Sequence, residues 1–136
     1  MGRVEGKVAL ITGGARGLGE ATGRTMAKEG ATVILTDLLD AEGEALAASI
    51  NDDGGTAEYI HQDVTDEGQW DTITSGIVDR HGRIDVVVNN AGVVLDANVE
   101  DTTLDGWRHV NAINSEAVFL GTRAGIKVMK EQDPQG

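Results

Sequence analysis

Val8-Ala9-Leu10-Ile11-Thr12-Gly13-Gly14-Ala15-Arg16-Gly17-Leu18-Gly19 carries an apolar run into a glycine-rich turn, and the turn opens a stretch of helical pattern. A buried strand, a glycine turn and a helix start in that order make room for a diphosphate. Glycine accepts positive φ and lets an anion approach without a Cβ in the way. The unpaired N–H groups and the dipole at the helix start then favour negative charge. Gly13, Arg16, Gly17, Leu18 and Gly19 are therefore candidate cofactor contacts. The glycine spacing is G-x-x-x-G-x-G rather than the commoner G-x-G-x-x-G, so the rest of the chain has to support the reading.

Outward from this turn, two periodicities alternate. Strand-like runs fall at Lys7–Thr12, Thr32–Thr36, Thr56–Gln62 and Ile84–Val88. Helical patterns fall at Leu18–Glu29, Ala41–Asn51, Glu67–His81 and, longest, Leu104–Lys130. Glycines stand at the expected helix stops (Gly30, Gly54 with Gly55, Gly82), and Asp40, Thr65 and Thr102 stand where N-caps belong. Apolar strands separated by helices predict a parallel α/β sheet covered on both faces. Right-handed crossovers give a doubly wound Rossmann-type sheet of strand order 3-2-1-4. Residues 1–136 read as one dinucleotide-binding domain, with a polar tail, Glu131-Gln132-Asp133-Pro134-Gln135-Gly136, expected to be a loop.

The chain has 136 residues, no cysteine and a net charge of -12. That charge argues against nucleic acid as a partner, which calls for a basic surface. No apolar run approaches the roughly 20 residues of a membrane span, so no membrane partner is expected and the location is read as cytoplasmic. Without cysteine there is no disulfide or thiolate chemistry.

Asp37 ends the second strand about twenty residues beyond the glycine turn, where a carboxylate can accept from the ribose hydroxyls of an adenine nucleotide and repel a 2′-phosphate. Arg16 is the opposing signal, since a guanidinium can pair with that phosphate; Asp37 decides the reading for NAD over NADP. Asp63-Val64 follows the third strand. Asp63 is read either as a partner of the adenine amino group, with Val64 beside the ring, or as a strand-end aspartate leading into a cap. Asn89-Asn90-Ala91-Gly92 follows the fourth strand, which lies beside the first where the strand order reverses. Asn90 can tie this loop to the first turn through Thr12, and Ala91 and Gly92 keep the wall low where a ribose would pass. His61, His81 and His109 show neither metal-ligand nor triad spacing, so no metal site is expected.

Together, Thr12–Gly19, Asp37, Asp63-Val64 and Asn89–Gly92 resemble the N-terminal half of the short-chain dehydrogenase/reductase family. Trp107, Val110–Asn114 and Val118–Thr122 resemble its fourth helix, and the likeness is greatest to NAD-dependent members acting on cyclic or steroid secondary alcohols. The resemblance implies hydride transfer between NAD(H) and a secondary alcohol or ketone by an Asn, Ser, Tyr and Lys tetrad. Asn114 matches the asparagine by position; spacing alone does not separate it from Asn111. The serine and the Tyr-x-x-x-Lys pair have no counterpart here, because Tyr59, the sole tyrosine, has Asp63 where the lysine would stand. The resemblance also implies a homo-oligomer paired through the Leu104–Lys130 helix.

Three functions follow as expectations. The chain is the coenzyme-binding half of a longer dehydrogenase, incomplete relative to the family fold; or it is a complete non-catalytic NAD(H)-binding module or pseudoenzyme; or it is a nucleotide fold turned to protein interaction. The first is preferred, since an asparagine matching the tetrad has little use in a pure binder. Val93-Val94-Leu95 would supply an apolar wall for the substrate.

Overall fold

The computed structural model describes residues 2–134. Gln135 and Gly136, assigned to the loop-like tail, lie outside the described residues. The order is β1 (Val8–Thr12), α1 (Gly17–Lys28), β2 (Thr32–Asp37), α2 (Asp40–Asp52), β3 (Thr56–His61), α3 (Glu67–His81), β4 (Val86–Val88), α4 (Leu104–Asn111), a π-helical turn (Ala112–Glu116) and α5 (Ala117–Met129). The four strands form one parallel sheet in the order β3-β2-β1-β4, the Rossmann-type 3-2-1-4 arrangement expected from the sequence.

Burial follows that topology. β1 is buried at every position, and Val33–Thr36 of β2 are buried as well. One sheet face packs Leu10 and Ile34 with Trp70, Ile73 and Ile77 of α3 and Ala117 and Ala124 of α5. The other packs Ile11, Val33 and Leu35 with Ala27 of α1 and Leu46, Ala47 and Ile50 of α2. Alternation along each strand divides the side chains between these two cores.

Several local expectations are corrected. Asp40 is the first residue of α2 rather than its cap; Leu39 holds the cap position without a side-chain bond. The carboxylate of Asp40 is taken instead by Tyr59 Oη and His61 Nδ1, both at 2.7 Å. The caps of α3 and α4 are Asp66, accepting from Gln69 N, and Thr103, accepting from Gly106 N, each one residue beyond the Thr65 and Thr102 expected. The Leu104–Lys130 segment is not one regular helix, because the π turn interrupts it. The residues of α5 that reach the core are small (Ala117, Gly121, Ala124 and Gly125), which brings the helix backbone close to the sheet. A Cβ at Gly121 would strike Asn89 Oδ1 and the Trp70 ring.

Candidate functional site

At the carboxyl ends of the strands, between the β1 and β4 loops, lies a cleft of about 440 Å³. This is the switch point of the sheet, where an open α/β fold binds its ligand. Its floor is the glycine turn. Gly13 and Gly17 have φ of +59° and +57°, and a Cβ on Gly13 would stand 2.9 Å from Ala91 Cα. The turn is fixed by Gly14 N donating to Thr36 O at 2.9 Å and Ala15 N to Asp37 Oδ2 at 3.1 Å. Arg16 caps α1 without a side-chain bond, so the N–H groups of the first helical turn keep their hydrogens for a ligand.

Asn90 locks the opposite wall. Its Nδ2 donates to Thr12 O at 3.0 Å and Gly13 O at 3.1 Å, while Thr12 Oγ1 accepts from Asn90 N and Ala91 N, both at 3.0 Å. The tie through Thr12 that the sequence suggested is present.

Asp37 is held at several atoms. Besides Ala15 N on Oδ2, its Oδ1 accepts from Leu38 N at 2.8 Å and Leu39 N at 3.3 Å, and its carbonyl accepts from Tyr59 Oη at 2.7 Å and Gln62 N at 2.9 Å. An ionised carboxylate has about four lone-pair positions; three are used by these N–H groups, and the last, on Oδ2, is left for a ligand donor. Tyr59 is thereby a structural residue. Burial, together with the hydrogen bond to the Asp40 carboxylate, holds its hydroxyl protonated well above the usual tyrosine range.

Asp63 turns one oxygen to its own loop. Thr65 Oγ1 donates to Oδ1 at 2.7 Å and Thr65 N at 2.9 Å, and these bonds hold the carboxyl below the usual aspartate range. Among the described residues Oδ2 accepts no bond.

Gly13, Arg16, Gly17, Leu18, Asp37, Asp63, Val64, Asn90, Ala91 and Gly92 all line the cleft. Gly19 does not. It lies beneath, where a Cβ would collide with Gly13 O, so it sets how closely α1 approaches the turn. Asn114 acts at one remove: its Oδ1 accepts from Val93 N and its Nδ2 donates to Val93 O, both at 2.8 Å, and Val93 lines the cleft. It sits in the π turn, a helix irregularity often found at functional sites. Sequence reading did not assign Leu38, Leu39, Gln62 and Ile113 to this site. The two leucines directly after Asp37 were the available signal, an apolar pair where a turn leads into a helix; nothing in the sequence marked Gln62 or Ile113.

Comparison with known proteins agrees with this geometry. Residues 7–136 match the model of the short chain dehydrogenase family. The chain is 45% identical over 130 residues to a 3-alpha-(or 20-beta)-hydroxysteroid dehydrogenase of Mycobacterium tuberculosis, covering 96% of this chain and 49% of that protein. It is 43% identical over 131 residues to a cyclopentanol dehydrogenase of Comamonas testosteroni, covering 96% and 52%. A metagenomic short-chain oxidoreductase solved in complex with NADP superposes with a TM-score of 0.85 at 33% identity, over 91% of this chain and 57% of that one. The chain thus spans about half the length of the curated relatives it matches. By its sequence match over nearly its whole length and by its sheet and cleft, the chain belongs to the short-chain dehydrogenase/reductase family.

Proposed function

We propose that this chain supplies the dinucleotide-binding half of an NAD-dependent oxidoreductase that moves hydride between NAD(H) and a secondary alcohol or ketone. One observation carries the reading: an uncapped helix start and a carboxylate with one open lone pair converge on the same cleft. The first-turn N–H groups of α1 would hold the diphosphate. Asp37 would accept from an adenosine ribose hydroxyl and disfavour a 2′-phosphate, which sets NAD above NADP. Asp63 Oδ2 would accept from the adenine amino group, with Val64 beside the ring. Ala91, Gly92 and Val93 would border the nicotinamide half. When bound, the dinucleotide supplies the hydride acceptor or donor; the residues of this chain bind and orient it.

Asn114 would act as the family asparagine, its side chain holding Val93 while the π turn frees backbone groups from the regular helix ladder. The substrate wall would include Val94, which is almost fully exposed beside the cleft-lining Val93. This fits an apolar alcohol, the class named for the cyclopentanol and hydroxysteroid relatives. Exposed Trp107, Phe119 and Ile126 on α4 and α5 would join a second copy in a cytoplasmic homo-oligomer.

Titration with NADH and with NADPH, followed by the fluorescence of Trp70 and Trp107, tests the cofactor. NADH should bind more tightly, and Asp37→Ala should remove that preference. Tighter NADPH binding would overturn the role given to Asp37, and no binding of either would overturn the nucleotide reading. The alternative reading is a non-catalytic NAD(H)-binding module. NADH binding by the whole natural protein without turnover of any cyclic secondary alcohol would establish it.

A further inference from the structure

Gly106 sits in the first turn of α4, and nothing about its backbone calls for glycine. Its φ is not positive. Its N–H donates to the Thr103 cap at 3.0 Å, as that of any residue but proline would. Glycine is a poor helix former, so the position gives up helix stability for space. What takes the space is Leu95. A Cβ on Gly106 would stand 3.3 Å and 3.6 Å from the two methyl carbons of Leu95, so the leucine side chain rests on the helix at this point.

This contact is one of two that hold a short apolar ridge. Asn114 bonds both backbone groups of Val93, at 2.8 Å each, and Leu95 is seated on Gly106 two residues further on. Both anchors belong to the helical stretch that runs from α4 into the π turn. Val94 lies between them with 97 % of its surface exposed, next to the cleft wall that Val93 forms. A lone exposed valine needs no explanation. A valine whose two neighbours are both fixed is a shaped surface.

We propose that the seat of Leu95 on Gly106 sets the size of alcohol that the protein accepts, by fixing the height at which Val94 meets the ring of the substrate. The proposal rests on the hydride-transfer reading above and adds a pair of positioning residues to it. Leu95 and Gly106 act through Val94 and not by touching the substrate. The pair has a sign. Emptying the seat lets the ridge sink toward α4 and admits larger rings. Filling the seat from the helix side lifts the ridge and excludes them. General loosening would shift acceptance the same way in both cases. A difference of one methylene in an apolar pocket changes specificity by roughly 10- to 200-fold, so displacements of this order are measurable.

The test is steady-state oxidation of cyclopentanol and cyclooctanol by the whole natural protein with NAD, read as the ratio of the two kcat/KM values. Leu95→Ala and Val94→Ala should raise the ratio of cyclooctanol to cyclopentanol by about tenfold. Gly106→Leu should lower it by a similar factor. Gly106→Ala crowds the seat less and should lower it about threefold; it carries this arm if Gly106→Leu does not fold. Leu95→Met, which keeps the bulk, should stay near wild type. NADH affinity in the Leu95 and Gly106 variants should stay within twofold, since neither residue lines the cleft. Ratios within twofold of wild type in Leu95→Ala and in the Gly106 variants, or shifts of one sign in both, would overturn the proposal and leave the hydride-transfer reading standing. So would an unmoved ratio in Val94→Ala, which would mean that protein and not substrate covers Val94. A wild-type protein that binds NADH yet oxidises neither alcohol would overturn the hydride-transfer reading and the ridge's part in it together.

Discussion

Asp37 shows how a single side chain can serve the fold and a ligand together. Ala15, Leu38 and Leu39 N–H groups bond its carboxylate, so it braces the glycine turn while keeping one lone pair for the cleft. Two substitutions separate these tasks. Asp37→Asn keeps an acceptor oxygen and lacks the charge; NADH affinity should fall by roughly ten- to a hundredfold, in line with the about 1.5–3 kcal/mol of a charged hydrogen bond, and NADPH should gain relative to NADH. Asp37→Ala strips all three N–H groups as well, so it should also lower stability by about 1–2 kcal/mol in urea titration. Asn114 is tested in the same way. Asn114→Ala removes both bonds to Val93, and hydrogen exchange at the Val93 amide should quicken while exchange in β1 stays unchanged.

The elements vary in how much of their geometry is local. The strands and the first three helices were legible because buried apolar runs, periodic patterns and stop glycines are properties of neighbouring residues, as in Val8–Thr12 and at Gly82, whose φ is +80°. The π turn was not legible. It occurs where Asn114 bonds Val93, a residue 21 positions away, and no local pattern encodes that pairing. The α2 start was misplaced for a similar reason, since Asp40 looks like a cap until Tyr59 and His61 of β3 claim its carboxylate. In the site, residues with a motif around them were found, whereas Gln62 and Ile113 reach the cleft only through the fold. Close packing of elements gives a further prediction. Gly121→Ala places a methyl against Asn89 and Trp70 and should push α5 off the sheet, costing about 1–3 kcal/mol by the usual penalty of overpacking. Chemical denaturation measures that directly.

At the scale of the whole molecule, β4 is an edge of the sheet among the described residues, its three valines only half-buried. With Trp107, Phe119 and Ile126 exposed on the helices that follow, this chain alone should self-associate at micromolar concentration. Light scattering that shows a stable, well-folded monomer would refute this. The acid limb of stability should depend on Asp85. Burial alone would raise its carboxyl, but bonds from Arg83 and from Val8 N at 2.9 Å outweigh burial and hold it below the usual range. A lowered folded value means its contribution is complete above the unfolded value of about 3.9 and is lost as pH falls through the folded one. Asp85→Ala, which leaves Val8 N–H without its acceptor, should cost about 1–3 kcal/mol at pH 7. In urea midpoints its deficit against wild type should shrink below pH 4.

The bonds from Gly14 to Thr36, from Ala15 to Asp37 and from Asn90 to Thr12 and Gly13 weld three strand ends into one rim before any ligand arrives. A nucleotide meeting such a rim finds these strand-end turns already bonded. In stopped-flow mixing with NADH, the fluorescence change should follow a single exponential whose rate climbs linearly with concentration, without the plateau that a slow closing step would impose.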